Sequence, residues 1–115
     1  MQLKIGVLGA GTMGNGIAHV FSLYENDVIL VDVNKDVLNS AIDSIKTNLD
    51  RQLKKNVINS IQLKNSIEKI SLSTDIHSLK SCKLIIEAVK EDVNLKKNIF
   101  KELDLICDRN TILAS

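Results

Sequence analysis

The chain has 115 residues, with 15 Lys plus Arg against 14 Asp plus Glu, a net charge of +1, and 44% hydrophobic residues. That length is one domain. The balanced charge argues against a surface built for nucleic acid or anionic lipid, and the apolar content excludes wholesale disorder.

In chain order, Leu3 to Leu8 (LKIGVL) reads as a first strand, rich in branched residues and followed at once by glycine. From Thr12 to Tyr24, the apolar residues Met13, Ile17, Val20, Phe21 and Tyr24 recur at helical spacing and predict one inward face. Val28 to Val33 (VILVDV) is an apolar run broken by one acid, the pattern of a buried parallel strand. Asn34 to Lys55 reads as a long helix with Leu38, Ala41, Ile42, Ile45, Leu49 and Leu53 inward. After a polar break at Asn56, a second helical stretch runs around Val57 to Lys69. Ile70 to Ser73 is a weak strand and Lys83 to Val89 (KLIIEAV) a strong one. Val93 to Cys107 returns to helix with Leu95, Ile99, Leu103 and Ile106 aligned, and Thr111 to Ala114 opens another strand. Strands alternating with helices predict an α/β fold, an open parallel sheet covered by helices on both faces. The expectation is a single domain over residues 1–115, cut short at its C-terminal end.

Cys82 and Cys107 stand 25 residues apart with no CxxC and no histidine pair beside them. They are expected to be reduced, mostly buried thiols, with neither a disulfide framework nor a metal site. No apolar run approaches the roughly 20 residues of a membrane span. The N-terminal stretch is interrupted by glycines, so a signal peptide is not expected and a cytoplasmic location is. The three aromatic residues, Phe21, Tyr24 and Phe100, offer no stacking platform for single-stranded nucleic acid. His19, placed off the apolar face of its helix, is expected to be exposed. His77 falls in a polar connection. Neither has a carboxylate at a spacing that points to catalysis.

All five glycines fall between Gly6 and Gly16. Within that window Gly9, Ala10, Gly11, Thr12, Met13 and Gly14 form GxGxxG between a strand and a helix. In that context Gly9 turns the chain out of the strand, and Gly11 lets the backbone approach a pyrophosphate. Gly14 lets the helix pack closely on the strand. The N–H groups and positive dipole end of the helix would face the phosphates. The pattern alone also occurs in ligand-free turns. The second element is Asp32, 21 residues after Gly11, close to the roughly 20 at which an acid accepts hydrogen bonds from the adenine ribose. Its charge would repel a 2′-phosphate, favouring NAD over NADP. No Arg stands among the next residues, Val33, Asn34 and Lys35, and Lys35 is a poor phosphate partner.

GAGTMGNGIA at Gly9–Ala18, LIIEAV at Leu84–Val89, KKNIF at Lys96–Phe100 and TILAS at Thr111–Ser115 together resemble the short-chain 3-hydroxyacyl-CoA dehydrogenases. The resemblance is greatest to the bacterial 3-hydroxybutyryl-CoA dehydrogenases, and covers essentially the whole chain. It implies a Rossmann-type domain with a long helical hairpin inserted over Asn34–Lys69. It also implies an NAD-dependent interconversion of (3S)-3-hydroxyacyl-CoA and 3-oxoacyl-CoA. On the same resemblance, Glu91 and Lys96 contact the cofactor, and Asn48, Lys55 and Lys96 contact coenzyme A. The general-base histidine and its glutamate would lie beyond Ser115, so this chain carries no catalytic residue and is expected to be inactive alone. A helical C-terminal domain, absent here, would close the acyl-CoA site and form a homo-oligomer. Two other readings stand beside this one: a non-catalytic NAD-sensing module, and another β-hydroxyacid dehydrogenase. The long hairpin speaks against the latter.

Overall fold

The computed structural model describes residues 3–89, 93–107 and 110–114, with the side chains of 93–96 outside that description. Five strands, β1 (Lys4–Leu8), β2 (Asp27–Val31), β3 (Ile70–Ser73), β4 (Leu84–Glu87) and β5 (Ile112–Ala114), alternate with helices. These are α1 (Thr12–Leu23), α2 (Lys35–Lys54), α3 (Ser60–Glu68) and α4 (Val93–Ile106), and a 3-10 turn spans Ile76–Ser81 before β4. The strands form one parallel sheet in the order β3-β2-β1-β4-β5. The predicted α/β architecture and the α2–α3 hairpin are therefore present. β2 ends at Val31, so Asp32 lies just past the strand and not inside it.

Alternation along the strands feeds two cores. Ile5, Val7, Val28 and Leu30 point to the side covered by α1, α2 and α3, where Ala18, Leu38, Ala41, Ile45 and Leu49 meet them. Leu8, Val31 and Ile85 point to the opposite side, against Leu79 and Cys82 of the 3-10 turn region and Leu103 of α4. Gly6 belongs to this second side. A Cβ there would lie 2.5 Å from Leu79 Cδ2, so its absence is what lets the 3-10 turn pack down on β1.

α2 buries the face its spacing predicts. Its start is fixed by Asn34, whose Oδ1 accepts from the N–H groups of Asp36 and Val37. α3 starts on Asn59, in a reciprocal capping box with Gln62.

α1 departs from the prediction. Met13, Val20 and Tyr24 are exposed, and its buried residues are Gly14, Ala18, His19 and Ser22, with Ile17 and Phe21 half-buried. The reason is steric. α1 approaches the sheet so closely that only small side chains fit beneath it, and the larger apolar residues turn outward. His19 accordingly lies inside, its Nε2 2.8 Å from Gln52 Oε1 of α2. Ser22 bonds to Ser66 of α3. The expectation of an exposed His19 is therefore corrected: its polar ring is buried because a hydrogen-bond partner on the hairpin satisfies it.

Candidate functional site

In an open parallel sheet, ligands settle outside the carboxyl ends of the strands where the order reverses. Here β1 leads outward through β2 to β3, while β4 and β5 extend the other way, so the switch lies between β1 and β4. The glycine window begins at that point. Gly9 has φ +103°, its N–H donates to the Val31 carbonyl (2.7 Å), and a Cβ on it would sit 2.9 Å from the Ala88 and Val89 backbone. Both conformation and space demand glycine.

The next two glycines differ from each other. A Cβ on Gly14 would run into the Gly9 carbonyl oxygen, so the start of α1 is seated against the turn itself. A Cβ on Gly11 would meet nothing within 4 Å, so the backbone there faces open space. Gly11 is also the N-cap of α1, and no side chain bonds that end. The first N–H groups of α1 thus lack the side-chain cap that α2 and α3 possess, on a helix whose first turn has no acid.

Asp32 is tied to this loop. Ala10 N–H donates to its Oδ2 (3.0 Å) and Asn34 N–H to its Oδ1 (2.9 Å). Its own N–H bonds the Ser73 carbonyl (3.2 Å). The carboxylate is half-buried and held at two points by backbone, and each oxygen retains lone-pair capacity for a hydroxyl donor.

Two cavities flank the loop. One of about 430 Å³ opens on the α4 side and is lined by Gly9, Asp32, Val33, Asp75, His77 and Ile99. The second, about 360 Å³, lies on the α1–α2 side and is lined by Ala10, Gly11, Thr12, Asn15, Ser40 and Ser44. Gly9, Ala10, Gly11, Thr12 and Asp32 therefore converge. Met13 faces solvent, 58% exposed, and lines neither cavity.

Asn48 is half-buried on α2 and Lys55 exposed just past its end, and neither lines either cavity. Glu91 lies outside the described residues. Lys96 lies in α4, its side chain outside the description.

Glu87 is a residue the sequence pattern did not single out. It ends β4 in register with Leu8 and is 2% exposed, and its Oε2 accepts from the Val89 N–H (2.7 Å). It therefore braces the segment that packs on Gly9. The signal was an acid closing an otherwise apolar strand, LIIE. The polar connection that holds His77 also reaches the site. Asp75 accepts from the His77 backbone N–H, and this bond, followed by the one to the His77 ring, holds its carboxyl below the usual value.

Cys82 and Cys107 are free thiols, the first buried and the second half-buried, and desolvation raises both. Among the described residues, no cluster of three or more His, Cys, Asp or Glu could hold a metal ion, and no helix is long and apolar enough to cross a membrane.

Comparison with known proteins places this geometry. The family model described as "3-hydroxyacyl-CoA dehydrogenase, NAD binding domain" matches residues 4–115. A 3-hydroxybutyryl-CoA dehydrogenase of Bradyrhizobium diazoefficiens is 40% identical over 97% of this chain and 38% of its own length. One from Clostridioides difficile is 39% identical over 98% of the chain and 40% of its own. Among solved structures, the (S)-3-hydroxybutyryl-CoA dehydrogenase PaaH1 of Ralstonia eutropha superposes with a TM-score of 0.92 at 32% identity, covering 96% of this chain and 40% of that one. The chain thus spans about two fifths of the length of these relatives.

Proposed function

The chain belongs to the NAD-binding-domain family of the 3-hydroxyacyl-CoA dehydrogenases, and from that premise we propose that it supplies the cofactor half of an enzyme. That enzyme interconverts (3S)-3-hydroxybutyryl-CoA, or another short-chain 3-hydroxyacyl-CoA, and acetoacetyl-CoA. The residues present fit a nicotinamide dinucleotide. Open space stands where a Gly11 Cβ would be, beside the uncapped start of α1, and the Asp32 carboxylate is anchored one residue away on Ala10. The observation that carries the reading is that Ala10–Asp32 bond, because it sets the ribose-binding acid and the phosphate-binding backbone in one rigid unit.

Bound there, the nicotinamide cofactor supplies the hydride acceptor or donor. The chain's own groups bind and orient. Backbone N–H groups from Gly11 onward take the pyrophosphate charge, strengthened by the α1 dipole. Asp32 accepts the ribose hydroxyls and rejects a 2′-phosphate. Glu91 and Lys96 are assigned to the cofactor, and Asn48, Lys55 and Lys96 to coenzyme A, on the family pattern. The proton of the substrate hydroxyl needs a general base that none of the described histidines provides. His19 is bonded to Gln52 on the hairpin and His77 to Asp75. We assign that base, its orienting glutamate and the oligomer-forming helical domain to the remainder of a relative-length enzyme, working in the cytoplasm.

The test is a chimera in which residues 1–115 replace the matching part of the Clostridioides difficile relative. The chimera is expected to oxidise NADH with acetoacetyl-CoA, and the 115-residue chain alone to show no turnover. A folded chimera that binds NADH but does not reduce acetoacetyl-CoA would contradict the assigned substrate class.

A further inference from the structure

Part of the lining of the 430 Å³ cavity has no task in holding the pyrophosphate or the ribose. Asp75 and His77, from the segment that joins β3 to β4, line it together with Gly9 and Asp32. The His77 side chain is 63% exposed but tethered. A single carboxylate oxygen, Asp75 Oδ1, takes the His77 backbone N–H at 2.9 Å and contacts the ring Nδ1 at 3.0 Å. Asp75 is itself fixed, its N–H donating to Ser73 Oγ and its carbonyl accepting from Ser78 Oγ. Main chain and imidazole are thus set by one group before any ligand arrives, which lowers the ordering cost of a contact made there. Val33 lines the same cavity and is 89% exposed despite being apolar.

The charge of the cavity says which end of a dinucleotide it takes. Asp32, Asp75 and Glu102 all line it, so a phosphate would be repelled and would stay at the α1 end. A neutral nucleoside would not. Asp32 in the same cavity is the ribose acceptor, and the base joined to that ribose must lie within a few ångströms of it. Resting on the nicotinamide-dinucleotide reading, we propose that His77, clipped by Asp75, is the residue on which the adenine ring of the cofactor packs. A purine offers a flat π-face, and an oriented imidazole is a plate that fits it. His77 is a binding residue in this account and takes no part in the chemistry.

The experiment titrates NADH by fluorescence and ADP-ribose by calorimetry against the parent protein, His77→Ala and His77→Phe, with urea unfolding of each. His77→Ala is expected to weaken both ligands by the same factor, about tenfold for one lost base-stacking contact, at unchanged stability. His77→Phe restores an aromatic face without the Nδ1 contact, and should stay within about threefold of the parent. An unchanged affinity in His77→Ala, a loss confined to NADH, or a Phe variant as weak as the Ala variant would overturn the assignment. A parent protein that binds neither ligand would overturn the cofactor reading itself, and the role of His77 with it.

Discussion

Gly11 and Gly14 stand three residues apart in one loop, and the structure separates what each is for. At Gly11 the φ of −68° suits any residue, and an added methyl meets no atom within 4 Å. Gly11→Ala is therefore expected to stay within about 1 kcal/mol of the parent, alanine being a poorer N-cap than glycine but stiffening the unfolded chain, while NADH binding is lost because the methyl fills the space of the pyrophosphate. Gly14→Ala drives a methyl into the Gly9 carbonyl and is expected to cost about 3 kcal/mol or more, or to prevent folding. Urea unfolding and NADH titration of the two variants check both; a Gly11→Ala protein that binds NADH like the parent would contradict the assignment. Cys82 gives a pH prediction. Burial raises its thiol from 9.0 to about 11, so the folded state favours the protonated form. Its contribution to stability is complete below pH 9 and is lost as pH rises towards 11. Cys82→Ala should flatten that part of the stability profile, and an identical slope in parent and variant would show that another group is responsible.

At the scale of elements, α1 is where sequence periodicity and structure diverge. Spacing locates the helix within one residue of its end, and of the inner face it predicts Ile17 and Phe21 pack against the core while Met13, Val20 and Tyr24 are exposed. Hydrophobicity marks large apolar side chains, whereas the face that packs on β1 is chosen for smallness, at Gly14 and Ala18. α2, which stands further from the sheet, has room for Leu38, Ile45 and Leu49, and its inner face was legible. The polar links of α1 to the hairpin, His19–Gln52 and Ser22–Ser66, join residues 33 and 44 positions apart, which no local pattern records. His19→Ala is expected to cost about 1–3 kcal/mol in urea unfolding, the range for leaving a buried partner unmet, with NADH affinity unchanged. A drop in NADH affinity at unaltered stability would instead place His19 in binding.

For the whole molecule, the parallel sheet and its crossovers bring two distant sequence features together. The glycine turn after β1 and the acid after β2 meet through the Ala10–Asp32 bond, and both were legible because each sits a fixed distance from a strand end. The rest of the cavity lining was not legible. Thr74–His77 carries no motif, and only the pairing of β3 beside β2, which sets the Ser73 carbonyl on the Asp32 N–H, brings it to the cavity. Asn48 and Lys55, which the family pattern assigns to coenzyme A, stand on the hairpin and line neither cavity.

On our proposal, this domain holds a nicotinamide dinucleotide with Asp32 on its ribose. The most direct measurement is a titration of the protein and its Asp32→Ala variant with NADH and with NADPH. The parent is predicted to bind NADH at least about tenfold more tightly than NADPH, since a 2′-phosphate beside a fixed carboxylate is a like-charge contact. Asp32→Ala should weaken NADH and close most of that gap. Equal affinity of the parent for the two cofactors would contradict the role of Asp32, and no binding of NADH would contradict the account as a whole.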